Sequence, residues 1–84
     1  MIKCNRFGRF KKEDILNNQY RILDDVESEG LYTATEINEF LNVKLTTEQK
    51  LEHCVGFVCK REWRGCVPVF DGTDLWLKKE KGEL

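Results

Sequence analysis

Proline, methionine and histidine each occur once in this 84-residue chain, and no apolar run reaches the roughly 18 residues that a membrane-spanning helix needs. So little proline excludes collagen-like and proline-rich low-complexity chains. A single histidine excludes the paired-histidine chelates of zinc hydrolases. Also absent are a Gly-rich phosphate loop and a G-x-S-x-G element, so neither an enzyme nor a cofactor is expected. The first residues, MIKCNRFGRFKKED, have no apolar segment behind their basic side chains. The expectation is a cytoplasmic chain with no membrane partner. Its four cysteines are then expected to be free thiols acting as small apolar side chains, with no structural disulfide.

The composition does support a core. Hydrophobic residues make up 40% and charged residues 35% of the chain, with nine aromatics (five Phe, two Trp, two Tyr). A chain of this length buries only about 60% of the surface it exposes when unfolded, so one small, efficiently packed core is expected.

Charge is distributed in blocks. Residues 1–12 hold Lys3, Arg6, Arg9, Lys11 and Lys12 and no acid; residues 13–53 hold ten acids against three bases. Residues 54–84 hold six bases against five acids, which completes the net charge of −1. The expected organisation is a basic N-terminal arm (1–12), one folded domain (13–79) and a polar tail (80–84).

Hydrophobic periodicity predicts three helices. Leu16, Tyr20, Leu23 and Val26 recur at helical spacing, predicting a first helix over 13–29 that ends at Gly30. Thr33 and Glu36 stand in a capping-box arrangement that opens a second helix, expected to bury Ile37, Phe40 and Leu41. Thr46 and Gln49 repeat the arrangement and open a third helix over about 47–62, with Gly56 in its interior. Beyond it, CVPVF and DLWLK flank DGT, which predicts a β-hairpin turning at Asp71-Gly72. Pro68, which has no N–H, must sit where no ladder bond is required.

The segment HCVGFVCKREWRGC carries three of the four cysteines and the histidine. On a helix, Cys54 and Cys59 would lie about 140° apart, and no C-x-x-C pair is present, so no metal site is expected. Cys54 reads as structural.

The element order, together with YTATEINEFLNV and VFDGTDLWLKK, resembles a winged helix-turn-helix domain. That resemblance implies an α+β fold of three helices followed by a C-terminal β-hairpin wing. It also implies binding of double-stranded DNA, as a transcription regulator, with the third helix in the major groove. Projected on that helix, Gln49, His53, Lys60 and Arg64 share a face with Thr46 beside them, and Lys78 and Lys79 end the wing. These seven residues are the expected DNA contacts, with a homodimer as the expected assembly. The alternative is a protein-interaction module of the same fold that uses its acidic first helix or exposed aromatics and binds no DNA.

Overall fold

Both capping boxes form. The Thr33 hydroxyl accepts from the Glu36 N–H at 3.4 Å, and the Glu36 carboxylate accepts from the Thr33 N–H at 3.1 Å. Thr46 and Gln49 repeat the exchange at 3.2 and 3.0 Å. Each satisfies two of the backbone groups that a helix start leaves without partners. The computed structural model describes residues 9–24 and 30–84, and its elements run α1 (Lys12–Asn17), β1 (Ile22–Leu23), β2 (Leu31–Thr33), α2 (Ala34–Leu41), α3 (Thr47–His53), β3 (Gly56–Cys59), β4 (Cys66–Asp71) and α4 (Gly72–Glu80).

The strands form one mixed sheet in the order β1-β3-β4-β2, with β1 parallel to β3 and the other pairs antiparallel. The α+β class therefore stands, but the winged-helix architecture does not: among the described residues four helices are interleaved with a four-stranded sheet. The hairpin is β3–β4, in mid-chain, and a helix follows it.

Three local effects account for the differences. The first helix ends at Asn17, because Asn18 caps it through bonds to the Asp14 carbonyl and Gln19 turns the chain with a φ of 63°. Ile22 and Leu23 then pair with Phe57 and Val58 instead of extending a helix. The remainder of that expected helix, residues 25–29, lies outside the described residues.

The third helix stops at His53, and the β-branched and aromatic run that follows pairs with β4. Gly56 therefore does not lie in the interior of a helix. It opens β3 where β1 crosses, and a Cβ there would lie 2.8 Å from Leu23 Cγ.

The DLWLK segment is helical because Asp71 caps it. Its carboxylate accepts from the N–H groups of Thr73 at 3.0 Å and Asp74 at 3.3 Å. Asp74 then pairs with Lys78 one turn on at 2.8 Å, and Leu75 alone of the apolar residues in this helix is fully buried.

All four helices send side chains to one face of the sheet. Ile15 of α1 and Leu51 of α3 pack with Phe10, Phe57 and Cys66, while Ile37 of α2 and Leu75 of α4 pack with Phe70. The rings of Phe10 and Tyr20 meet Phe57 edge-on at centroid distances of 5.3 and 5.4 Å. Each large apolar side chain buried this way contributes about 1.5–3 kcal/mol. On the opposite face, Leu31, Val58 and Val69 form a smaller cluster under Trp63. Phe40, expected inside, is 64% exposed.

Phe10 reaches the core as a single residue added to the sheet edge. Its N–H donates to the Cys66 carbonyl at 2.8 Å and its carbonyl accepts from the Cys66 N–H at 2.7 Å. Further along the same edge, Tyr32 of β2 pairs with Phe70. Pro68 falls between those two partners, where β4 has no strand to donate to, which explains a proline in a central strand.

Candidate functional site

The structure joins Cys59 and Cys66 in a disulfide, which corrects the expectation of four free thiols. The two residues face each other in the β3–β4 register, at a Cα–Cα distance of 4.2 Å. Both Cys66 backbone groups point away from Cys59, toward Phe10, so this is the non-hydrogen-bonded kind of antiparallel pair, whose Cα atoms lie closest together. The link closes a ring around the loop Lys60-Arg61-Glu62-Trp63-Arg64-Gly65.

That loop meets the basic arm. A Cβ on Gly65 would lie 2.8 Å from the Phe10 carbonyl oxygen, so only glycine lets the arm reach Cys66 at this point. The Arg9 guanidinium stands 5.0 Å from the centre of the Trp63 ring and the Lys60 ammonium 5.2 Å from it. Both lie within cation–π range. Lys11, Lys12, Lys60 and Arg64 line a surface hollow of about 480 Å³, with Glu13 on its rim and the disulfide as part of its wall. Two segments 48 residues apart (12 to 60) thus bring Lys11 and Lys12 together with Lys60 and Arg64, and Arg9 with Lys60 at Trp63; Glu13 shares their hollow, and Glu36 lines a second one with Lys60 and Trp63. Such a clustering of cations attracts anions electrostatically and offers them hydrogen-bond donors.

The seven expected DNA contacts divide among four places. Lys60 and Arg64 join the arm on the hairpin loop. Thr46 and Gln49 start α3, where each caps the other. His53 ends α3, with Nδ1 3.3 Å from the Lys78 ammonium, and Lys78 is also held by Asp74. Lys79 donates to the Leu41 carbonyl and so satisfies the C-terminal end of α2. The single helical face drawn from the sequence is therefore dispersed, because its helix ends at His53. Helical projection gave no weight to Arg61 and Trp63; the cysteines bracketing KREWRG were the signal that marks them.

A second feature lies between α2 and α4. Tyr32, Ile37, Phe40, Leu41, Thr73 and Trp76 line a groove of about 400 Å³, with Phe40 64% and Trp76 49% exposed. Tyr32 and Phe40 meet edge-on at 5.5 Å.

The remaining described cysteine, Cys54, is half-buried, and its thiol donates to the Leu51 carbonyl at 3.6 Å. Burial pushes this thiol up to about 11, with partial opposition from the backbone N–H groups of Cys54 and Gly56. It is a packing residue and a poor nucleophile at neutral pH. Among the described residues no group of three His, Cys, Asp or Glu side chains is placed to hold a metal ion, and no helix is long and apolar enough to cross a membrane.

By its geometry the chain is a small α+β domain with a disulfide-closed basic hairpin. No protein-family model, curated protein or solved structure matches it.

Proposed function

We propose that this is a small, non-enzymatic nucleic-acid-binding protein that grips the phosphate backbone of double-stranded DNA with its hairpin loop and basic arm. The observation that carries the reading is charge segregation. Residues 9–13 and 60–65 together carry six bases and two acids, a net +4, whereas the rest of the chain carries eight bases and thirteen acids, a net −5. A local excess of positive charge gives the protein a preferred side toward a polyanion despite a pI near 5.8, although Glu36 lines a hollow beside Lys60 and Trp63. The contact we propose is made by the loop and not by α3, a seven-residue helix whose N-cap Thr46 and third residue Gln49 are engaged with each other in capping. Binding of this kind reads backbone and shape more than base edges. The cytoplasm is the compartment we assign.

The test is duplex binding by fluorescence anisotropy across a salt series. Log K should fall linearly with log salt, with a slope of about −0.9 for each phosphate contacted. Lys60→Ala with Arg64→Ala should flatten the slope by about 2 units. Lys78→Ala with Lys79→Ala should leave it unchanged. No binding at about 50 mM salt would exclude the proposal.

The α2–α4 groove favours a second reading, a protein-interaction module whose partner is a second copy of the chain. Phe40 and Trp76, 64% and 49% exposed, leave an apolar surface on the groove that a second copy related by a twofold axis would cover with the same residues. Sedimentation equilibrium decides it. A concentration-dependent dimer abolished by Trp76→Ser supports the reading, and a monomer throughout excludes it.

A further inference from the structure

We propose that Cys59 and Cys66 form a thiol–disulfide switch that fixes or frees the cation-bearing hairpin loop. Through the loop the switch controls the nucleic-acid contact, a consequence that rests on the function proposed above.

The argument begins with what holds the base of the loop. Both backbone polar groups of Cys66 are engaged by Phe10 on the far side of β4, at 2.7 and 2.8 Å. Alternation along an antiparallel pair then leaves no backbone hydrogen bond between Cys59 and Cys66 and places the next ladder bonds at Val58–Val67. The sulfur–sulfur bond is therefore the covalent clasp at a register point that hydrogen bonds leave empty. Once it opens, the ordered hairpin ends one residue pair earlier. Lys60 and Arg64 are then carried on a longer loop, held by the packing of Trp63 and by the bridge at Phe10.

Access and chemistry fit a reversible couple. Cys66 is buried at 1% exposure, but Cys59 is only partly buried and lines the hollow beside Lys60 and Arg64. An attacking dithiol thiolate therefore reaches the Cys59 sulfur, forms a mixed disulfide there and expels Cys66 as a thiolate, which takes up a proton. The reagent's second thiol then attacks its own sulfur in the mixed disulfide and releases Cys59. The net change is one protein disulfide plus one dithiol giving two protein thiols plus one cyclic disulfide. Cys54 does not compete, since its buried thiol stays protonated at neutral pH. In a reducing compartment a disulfide in such a position is characteristically transient and redox-sensing.

The experiment uses the full chain in three forms: oxidised with glutathione disulfide, reduced with dithiothreitol, and the Cys59→Ser/Cys66→Ser double variant. Peptide mapping by mass spectrometry should find a 59–66 link in the oxidised form. Amide hydrogen exchange should accelerate across residues 60–65 on reduction while remaining slow in β3 and β4. Affinity for a DNA duplex should fall about tenfold, since the ordering of the loop must then accompany binding. The double variant should match the reduced form under both conditions.

Absence of the 59–66 link under oxidant, or a link through another cysteine in its place, overturns the switch. So does loop exchange that reduction leaves unchanged, whether or not DNA binds. Redox-dependent exchange with equal affinity in both states overturns the control of binding alone. Redox-dependent exchange with no DNA binding in either state supports the loop switch and overturns the nucleic-acid reading.

Discussion

Gly65 and Phe10 touch so closely that a Cβ on Gly65 would lie 2.8 Å from the Phe10 carbonyl oxygen, a backbone atom that cannot turn aside. Gly65→Ala therefore forces the arm and hairpin apart at the point where Phe10 and Cys66 exchange their two hydrogen bonds. Each bond contributes about 1 kcal/mol, so a loss of about 1–3 kcal/mol of stability is expected in urea unfolding. The same variant should weaken duplex binding, because Arg9, Lys11 and Lys12 reach the loop cations through that bridge. Full stability in the variant would show that the arm does not depend on it.

Core and groove aromatics should behave oppositely. Phe57 is fully buried between Phe10 and Tyr20, so Phe57→Ala should cost about 3–5 kcal/mol. That is comparable with the whole stability of about 4–13 kcal/mol for a chain of this length. The variant should therefore unfold at a much lower urea concentration than wild type, as followed by circular dichroism. Trp76 is 49% exposed at the groove, and Trp76→Ala should shift the urea midpoint by less than the equivalent of about 1 kcal/mol. A large loss there would mean that the groove is part of the core.

What could be read from the sequence was local. Both capping boxes and the starts of α2 and α3 were visible in Thr33/Glu36 and Thr46/Gln49, because a cap is a contact between residues three apart. Where helices end is decided by distant partners. Helical periodicity through Val55 and Val58 competes with a strand pattern, and the pairing of β3 with β1 and β4 resolves it. The Asp71-Gly72 pair suits a tight turn or a helix start equally well, and the Asp74–Lys78 spacing was the clue favouring a helix. The basic surface was half legible. Its arm stood out by composition, but the meeting of Lys11 and Lys12 with Lys60 and Arg64 depends on Phe10 joining the sheet.

Thr46 separates a structural role from a binding role. Its hydroxyl accepts from the Gln49 N–H at 3.2 Å, and loss of a helix cap of this kind costs about 1 kcal/mol. Thr46→Ala should therefore lower stability by about that amount and leave duplex affinity unchanged once measured on folded protein. A variant of undiminished stability with weakened DNA binding would return α3 to the interface.

Cys54 predicts a pH dependence with a definite sign. In the unfolded chain its thiol ionises near its ordinary value of 9.0, while burial holds it protonated in the native state up to about 11. Between those values the unfolded chain binds fewer protons than the native one, so stability falls as pH rises. The contribution is complete below pH 9.0 and has been lost by about pH 11. Lysines titrate in the same range, so the informative quantity is the difference between wild type and Cys54→Ala in urea unfolding at pH 8, 9, 10 and 11. That difference should shrink as the pH climbs. At pH 8 the same shift leaves Cys54 with roughly 100-fold less thiolate than an unperturbed thiol, so iodoacetamide should label it slowly in native protein and rapidly in urea. Equal labelling rates, with a pH-independent difference in stability, would mean that the thiol is not held protonated by burial.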